Sequence, residues 1–162
     1  MNTTPHPETP KDAARRLAAA AIRGDFKAEA LHAYTDEKGD TIFWRIRAKL
    51  ESGEKWIRPM RRNGDGCELG EPEFPNGKPL FRLHDLAAKP GAPAVYVEGE
   101  NCADALAKLG LLATTAGGAT SDERANFEPL AGRTVTIWPD NDKAGIGHAE
   151  RVAAKLLAIG CT

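Results

Sequence analysis

Cysteine is scarce in this chain. Three cysteines stand far apart at 67, 102 and 161, and no CxxC pair occurs. That argues against a zinc ribbon and against a disulfide framework. Long apolar runs are missing too: none approaches the roughly 20 residues that span a bilayer. The opening stretch, MNTTPHPETP, lacks the apolar core of a signal peptide. No membrane partner and a cytoplasmic location are therefore expected. Net charge of one sign is also absent, at −1 overall. Only two tyrosines are present, Tyr34 and Tyr96.

What is there is ordinary for a soluble globular protein: 41% hydrophobic and 28% charged residues in 162 positions. That length suits one domain, or a compact domain with a smaller appendage. The near-zero net charge hides an asymmetry. Residues 41–64 hold seven Lys/Arg against two Asp/Glu, whereas residues 93–162 hold six against nine. A basic stretch beside an acidic one fits phosphate attraction by one part and cation binding by the other. Two ordinary solvated surfaces fit the charge count equally well.

Three parts follow along the chain. Residues 1–10 are rich in Thr and Pro and are expected to be disordered. Residues 11–92 read as an N-terminal helix and a basic β-meander. The Ala-rich KDAARRLAAAAIR, 11–23, is the helix, with Gly24 as its stop. TIFWRIRAKL, 41–50, alternates: Ile42, Trp44, Ile46 and Ala48 on one face, Phe43, Arg45, Arg47 and Lys49 on the other. KWIRPMRR adds a strand in which Pro59 predicts an edge position or a strand end. NGDG at 63–66 and EPEFPNGKP at 71–79 read as loops. The basic residues Arg45, Arg47, Lys49, Arg58, Arg61 and Arg62, with Trp56 among them, serve either solubility or contact with nucleic-acid phosphates.

Residues 93–162 change period. APAVYV is a short continuous apolar run, the pattern of a parallel strand buried on both faces. ADALAKLG predicts a helix ending at Gly110, LLATTAGGAT a strand and a Gly-containing loop, SDERANFEPL a short helix capped by Ser121. RTVTIW is a third strand and AGIGHAERVAAKLLAIG the longest helix. Strand–helix alternation implies βαβ units and a parallel sheet. Right-handed crossovers put the strands' carboxyl ends on one edge, where open α/β sheets hold ligands. Glu98 follows the first of these strands, and Asp140 and Asp142 follow the third. If those strands are neighbours, three mutually repelling carboxylates converge, and a divalent cation relieves the repulsion. A lone DxD is otherwise a turn. His32, His84 and His148 match no ligand spacing and read as surface or structural histidines. Trp138 reads as a core residue rather than a base-stacking one, and Cys102 as a small packed residue.

VYVEGENCADALAKLGLLATTAGGAT, followed by LAGRTVTIWPDNDKAGIGHAERVAAKL, resembles a Toprim domain, the catalytic module of bacterial-type primases, topoisomerases and certain nucleases. The resemblance covers about 93–160 and rests on VEGE and PDNDKAG together. With GEKWIRPM and GKPLFRLHDL upstream, the chain looks most like the primase-like proteins of phages and plasmids. The fold this implies is a Toprim-type, Rossmann-like parallel sheet with flanking helices. The implied activity is Mg²⁺- or Mn²⁺-dependent nucleotidyl transfer in DNA replication. The partners would be a single-stranded DNA template, nucleotides and, in the same or a partner chain, a replicative helicase or other ATPase region. Glu98 matches the family's general acid/base, and Asp140 and Asp142 its metal-binding pair. Gly99 matches the glycine of a tight strand-to-helix turn, Gly117 and Gly118 a small-residue loop, and Gly145 the glycine after DxD. Asp104 would support the metal from behind. Cys102 departs from the pattern, since many primases carry an acid there. A Toprim-type nuclease, or a non-catalytic module binding nucleic acid or a replication partner, is the alternative. A complete topoisomerase is not expected, because Tyr96 lies in the buried strand and Tyr34 in the meander. The family usually adds a strand after the long helix, and the chain stops where that strand would begin, so a fragment of a longer protein or a truncated gene product is expected, and with it loss of activity in the isolated chain.

Overall fold

The computed structural model describes residues 8–118 and 120–162. Contacts divide the chain into two compact units: residues 1–33 with 41–73, and residues 34–40 with 74–162.

The first unit is a four-stranded sheet carrying one helix. Helix α1, Pro10–Ala21, begins where Thr9 accepts a hydrogen bond from the Asp12 amide, with Pro10 at its first position. The helix thus starts inside the stretch expected to be disordered; residues 1–7 of that stretch lie outside the described residues. Strands β1 (Phe26–Thr35), β2 (Thr41–Leu50), β3 (Lys55–Asn63) and β4 (Gly66–Leu69) lie in the order β1-β2-β3-β4. β4 falls in a stretch without apolar alternation. Its Cys67 and Leu69 pair with Arg62 and Met60 across β3, which extends the sheet beyond what periodicity marks. Pro59 therefore sits in an inner strand. Its carbonyl accepts from the Gly70 amide, past the last β3–β4 pair, so its missing N–H falls where that ladder ends. Ala13, Ala14, Trp44, Ile46 and Met60 form the core between α1 and the sheet.

The second unit holds a parallel sheet of three strands. β5 (Ala94–Val97) lies between β6 (Ala113–Thr114) and β7 (Val135–Trp138), in the order β6-β5-β7. The expected βαβ pattern is present: α3 (Glu100–Lys108) links β5 to β6, and α4 (Lys143–Ala158) follows β7. SDERANFEPL forms two 3-10 turns, Ser121–Glu123 and Glu128–Leu130, in place of one helix, and Thr120 rather than Ser121 precedes the first. A short helix α2 (Leu83–Ala88) was not marked by the sequence pattern. The core gathers Leu80, Leu86, Tyr96, Phe127, Leu130, Val152 and Leu156. Residues 74–92 belong to this unit because Leu80 and Leu86 are fully buried in that core. Arg133 reinforces the junction, donating to the carbonyls of Leu86, Lys89 and Ala92 at 2.7–2.9 Å. At the chain end, Thr162 donates to the Arg133 carbonyl and accepts from the Val135 amide, a parallel-bridge pattern beside β7.

Candidate active site and basic surface

β5 and β7 are neighbours. They pair in register from Ala94 with Val135 to Val97 with Trp138. Glu98 is the next residue after Val97, and Asp140 comes two after Trp138, so both leave the sheet on its carboxyl edge. Glu98 is half-buried, with Oε2 shielded from solvent. Its carbonyl accepts from the Thr115 hydroxyl at 2.9 Å, and that hydroxyl in turn accepts from the Gly117 amide. Thr115 thereby fixes the chain leaving β5 against the loop leaving β6.

Asp140 and Asp142 are both exposed. Asp142 caps α4, its Oδ1 accepting from the Gly145 amide at 2.7 Å. The turn reading and the ligand reading of this residue are thus compatible: one carboxylate oxygen serves the cap, and the other remains for a cation. Gly145 has a packing reason. A Cβ at that position would run into the carbonyl oxygen of Asp140, so only glycine lets the turn close on the helix. Gly117 and Gly118 have φ of 102° and 143°, the backbone region that favours glycine.

One expectation needs correction, and Asp104 has a partner besides the acids. Gly99 is the residue preceding α3, with an extended backbone at φ −140° and open space where a Cβ would stand, so its turn does not require glycine. Asp104 accepts from Arg82 Nη1 at 2.8 Å. The α3 register turns it to this arginine, which also pairs with Asp85 at 2.6 Å, and its negative charge is matched there. Among the described residues, no group of three or more His, Cys, Asp or Glu is gathered tightly enough to hold a metal ion by itself.

Trp138 is also not where the sequence put it: the indole is 62% exposed. β7 is an edge strand, and α3 packs over β5 and β6. Along β7 the alternate residues Thr136 and Trp138 are exposed, while Val135 and Ile137 pack on the core. Beside the indole lies a cavity of about 250 Å³ that includes Asp140. A cavity of about 270 Å³ in the first unit lies between α1 and strands β1 and β2, lined by residues other than Glu98, Asp140 and Asp142.

A buried polar network lies between β5, α4 and the turn Ser121–Glu123. Tyr96 Oη lies 3.3 Å from His148 Nε2, and His148 Nδ1 lies 3.2 Å from Asp122 Oδ1. All three residues are buried. Arg151 and Lys155 close the carboxylate of Asp122 from α4, at 3.3 and 3.2 Å. Burial pushes the Asp122 carboxyl up, but the hydrogen bonds from Arg151 and Lys155 outweigh it and hold the pKa below the ordinary value. Burial drives the Tyr96 phenol well above its ordinary pKa, despite a hydrogen bond from the Ala116 amide. His148 is thus a structural histidine, and Tyr96 stays protonated and internal. Tyr34 is fully buried as well and donates to Glu100 at 2.7 Å, so neither tyrosine is presented as a nucleophile. In the sequence its members stand apart: Tyr96 in β5, Asp122 in the turn Ser121–Glu123, and His148, Arg151 and Lys155 on α4.

The basic residues divide between two faces. Cross-strand partners share a face, which places Arg45, Arg47, Lys49 and Arg61 on the side away from α1. Arg58 and Arg62 lie on the α1 side, their guanidinium groups 5.7 Å from the Trp56 ring and 5.4 Å from the Trp44 ring. Phe43, expected on the open basic face, is fully buried at its end of β2. Arg47 pairs with Glu29 at 2.9 Å and Arg61 with Glu68 at 2.8 Å. Hydrogen bonds from these arginines hold both glutamates below the ordinary carboxylate pKa.

Comparison with family models, with curated proteins and with solved structures finds no match to this chain. The described residues include no helix long and apolar enough to cross a membrane.

Proposed function

We propose that this chain is a Mg²⁺-dependent nucleotidyl-transfer module of the Toprim, primase-like kind. One observation carries the reading: β5 and β7 are adjacent and parallel, in a register that brings Glu98 and Asp140 off the sheet at the same edge. That adjacency is the condition under which the acids of VEGE and PDNDKAG act together.

The donor set suits Mg²⁺. It is all oxygen, and it amounts to Asp140, the second oxygen of Asp142 and Glu98. Mg²⁺ takes one or two carboxylates and completes its shell with water and substrate phosphates, so a dedicated three-acid cage is not needed. When bound, the ion would stabilise charge on the phosphate oxygens of an in-line displacement. Asp140 and Asp142 would hold it. Glu98, with one oxygen shielded from solvent, would accept the proton of the attacking 3′-hydroxyl. Lys49 and Arg62 of the first unit would contact template phosphates.

The test is primer synthesis on single-stranded DNA with nucleotides and Mg²⁺ or Mn²⁺. Synthesis that Asp140→Asn abolishes supports the reading. Strand cleavage without synthesis assigns the same acids to a nuclease. DNA binding with neither reaction assigns the chain to a binding module.

A further inference from the structure

An exposed tryptophan at the carboxyl edge of a parallel sheet stands where ligands enter such folds. Trp138 is 62% exposed, on the same solvent-facing side of β7 as Thr136, although burying an aromatic side chain normally stabilises. Beside it opens the cavity of about 250 Å³, walled by Val97 at the end of β5, Cys102 and Leu106 of α3, Pro139 and Asp140. Pockets for whole drug-sized ligands run about 300–1,000 Å³, so this one suits a single ring system. Its wall is apolar except for Asp140, whose carboxylate accepts hydrogen bonds. The matching ligand is flat, apolar on its faces and carries N–H donors on its edge. A nucleobase has all three properties. Among the described residues no lysine or arginine lines the cavity, so a free triphosphate tail finds no counter-charge in that wall. A strand needs none there, because its neighbouring nucleotides bind elsewhere.

We propose that this cavity takes one base of a single-stranded nucleic acid, stacked on the Trp138 indole beside Asp140. The proposal deepens the reading of this edge as a nucleic-acid site, but the stack itself needs no metal. It therefore stands or falls separately from the metal chemistry.

The experiment measures binding of an end-labelled single strand of about 12 nucleotides by fluorescence anisotropy, in EDTA. Wild type is compared with Trp138→Ala and Trp138→Phe, on a base-bearing strand and on an abasic strand of equal length. Circular dichroism checks that each variant keeps the fold. The expected result is about tenfold weaker binding of the base-bearing strand by Trp138→Ala, since one aromatic stack contributes on that order. Trp138→Phe restores most of the affinity, and the abasic strand binds wild type and Trp138→Ala alike. Equal affinity of wild type and Trp138→Ala for the base-bearing strand overturns the proposal. So does an equal loss on the abasic strand, or no strand binding by the wild type. Competition by free AMP as effective as that of unlabelled strand overturns the strand as the source of the base. Failure of the metal reading would appear instead as Mn²⁺ binding that Asp140→Asn leaves unchanged, with the stack intact.

Discussion

Asp142 caps α4 with one carboxylate oxygen and, in the proposed metal site, would offer the other; substitution can separate the two roles. Asn retains a side-chain oxygen for the Gly145 amide, so Asp142→Asn keeps the α4 cap and removes the charge. Ala removes both. Urea unfolding should show Asp142→Ala about 1 kcal/mol less stable and Asp142→Asn within a few tenths of wild type. Gly145→Ala tests the packing reason for the glycine. The added methyl meets the Asp140 carbonyl, and the backbone must shift to admit it. A loss of about 1–3 kcal/mol is expected in the same assay. Wild-type stability would mean that the turn is looser than its geometry implies. The acids themselves were legible in the sequence, because charged residues directly after an apolar run stand out. The cap was not, because a side-chain hydrogen bond leaves no trace in spacing.

Among the elements, the long ones were the most legible. The alternation of TIFWRIRAKL, the Ala-rich 11–23, the run KWIRPMRR and the long stretch AGIGHAERVAAKLLAIG each formed an element, β2, α1, β3 and α4, close to where the sequence places it. β4, with four residues, and α2, with six, are too short to show a period. They form because neighbours hold them: β4 by pairing with β3, α2 by burial of Leu86. The exposure of Trp138 was hidden for a related reason, since strand order decides which strand is an edge and an apolar run does not reveal it. The element with most at stake in its polar contacts is α4. Its His148, Arg151 and Lys155 meet the buried Asp122. A carboxyl held below its ordinary pKa in the folded state contributes stability that is present above the unfolded value of about 3.9. That contribution is lost as pH falls through the lower folded value. Asp122→Asn should therefore lower stability at pH 7, by about 1–3 kcal/mol given that Arg151 and Lys155 are partly exposed. It should also flatten the stability profile below pH 4. Equal slopes in wild type and variant during acid unfolding would contradict this.

For the whole molecule, the asymmetry of charge matters more than its sum. The basic stretch of 41–64 is less available than its count implies, because Glu29 and Glu68 already match Arg47 and Arg61 and because the cations face two ways. Sequence could count the charges but not the pairing, which depends on partners 18 and 7 residues away in the chain. Each phosphate contact made to a single strand steepens the salt dependence of binding by about 0.7 in log–log slope. Lys49→Ala should lower the slope by about that amount, and Arg47→Ala by clearly less. The reverse order would place the phosphates on the paired arginines. The metal reading underlies all of the proposed chemistry. Its most direct test is titration of the chain with Mn²⁺, followed by electron paramagnetic resonance of the free ion. Wild type should bind Mn²⁺, with Mg²⁺ competing for the site, and Asp140→Asn/Asp142→Asn should lose that binding while keeping its fold. Binding unchanged in the double variant would contradict the assignment of these two acids as metal ligands.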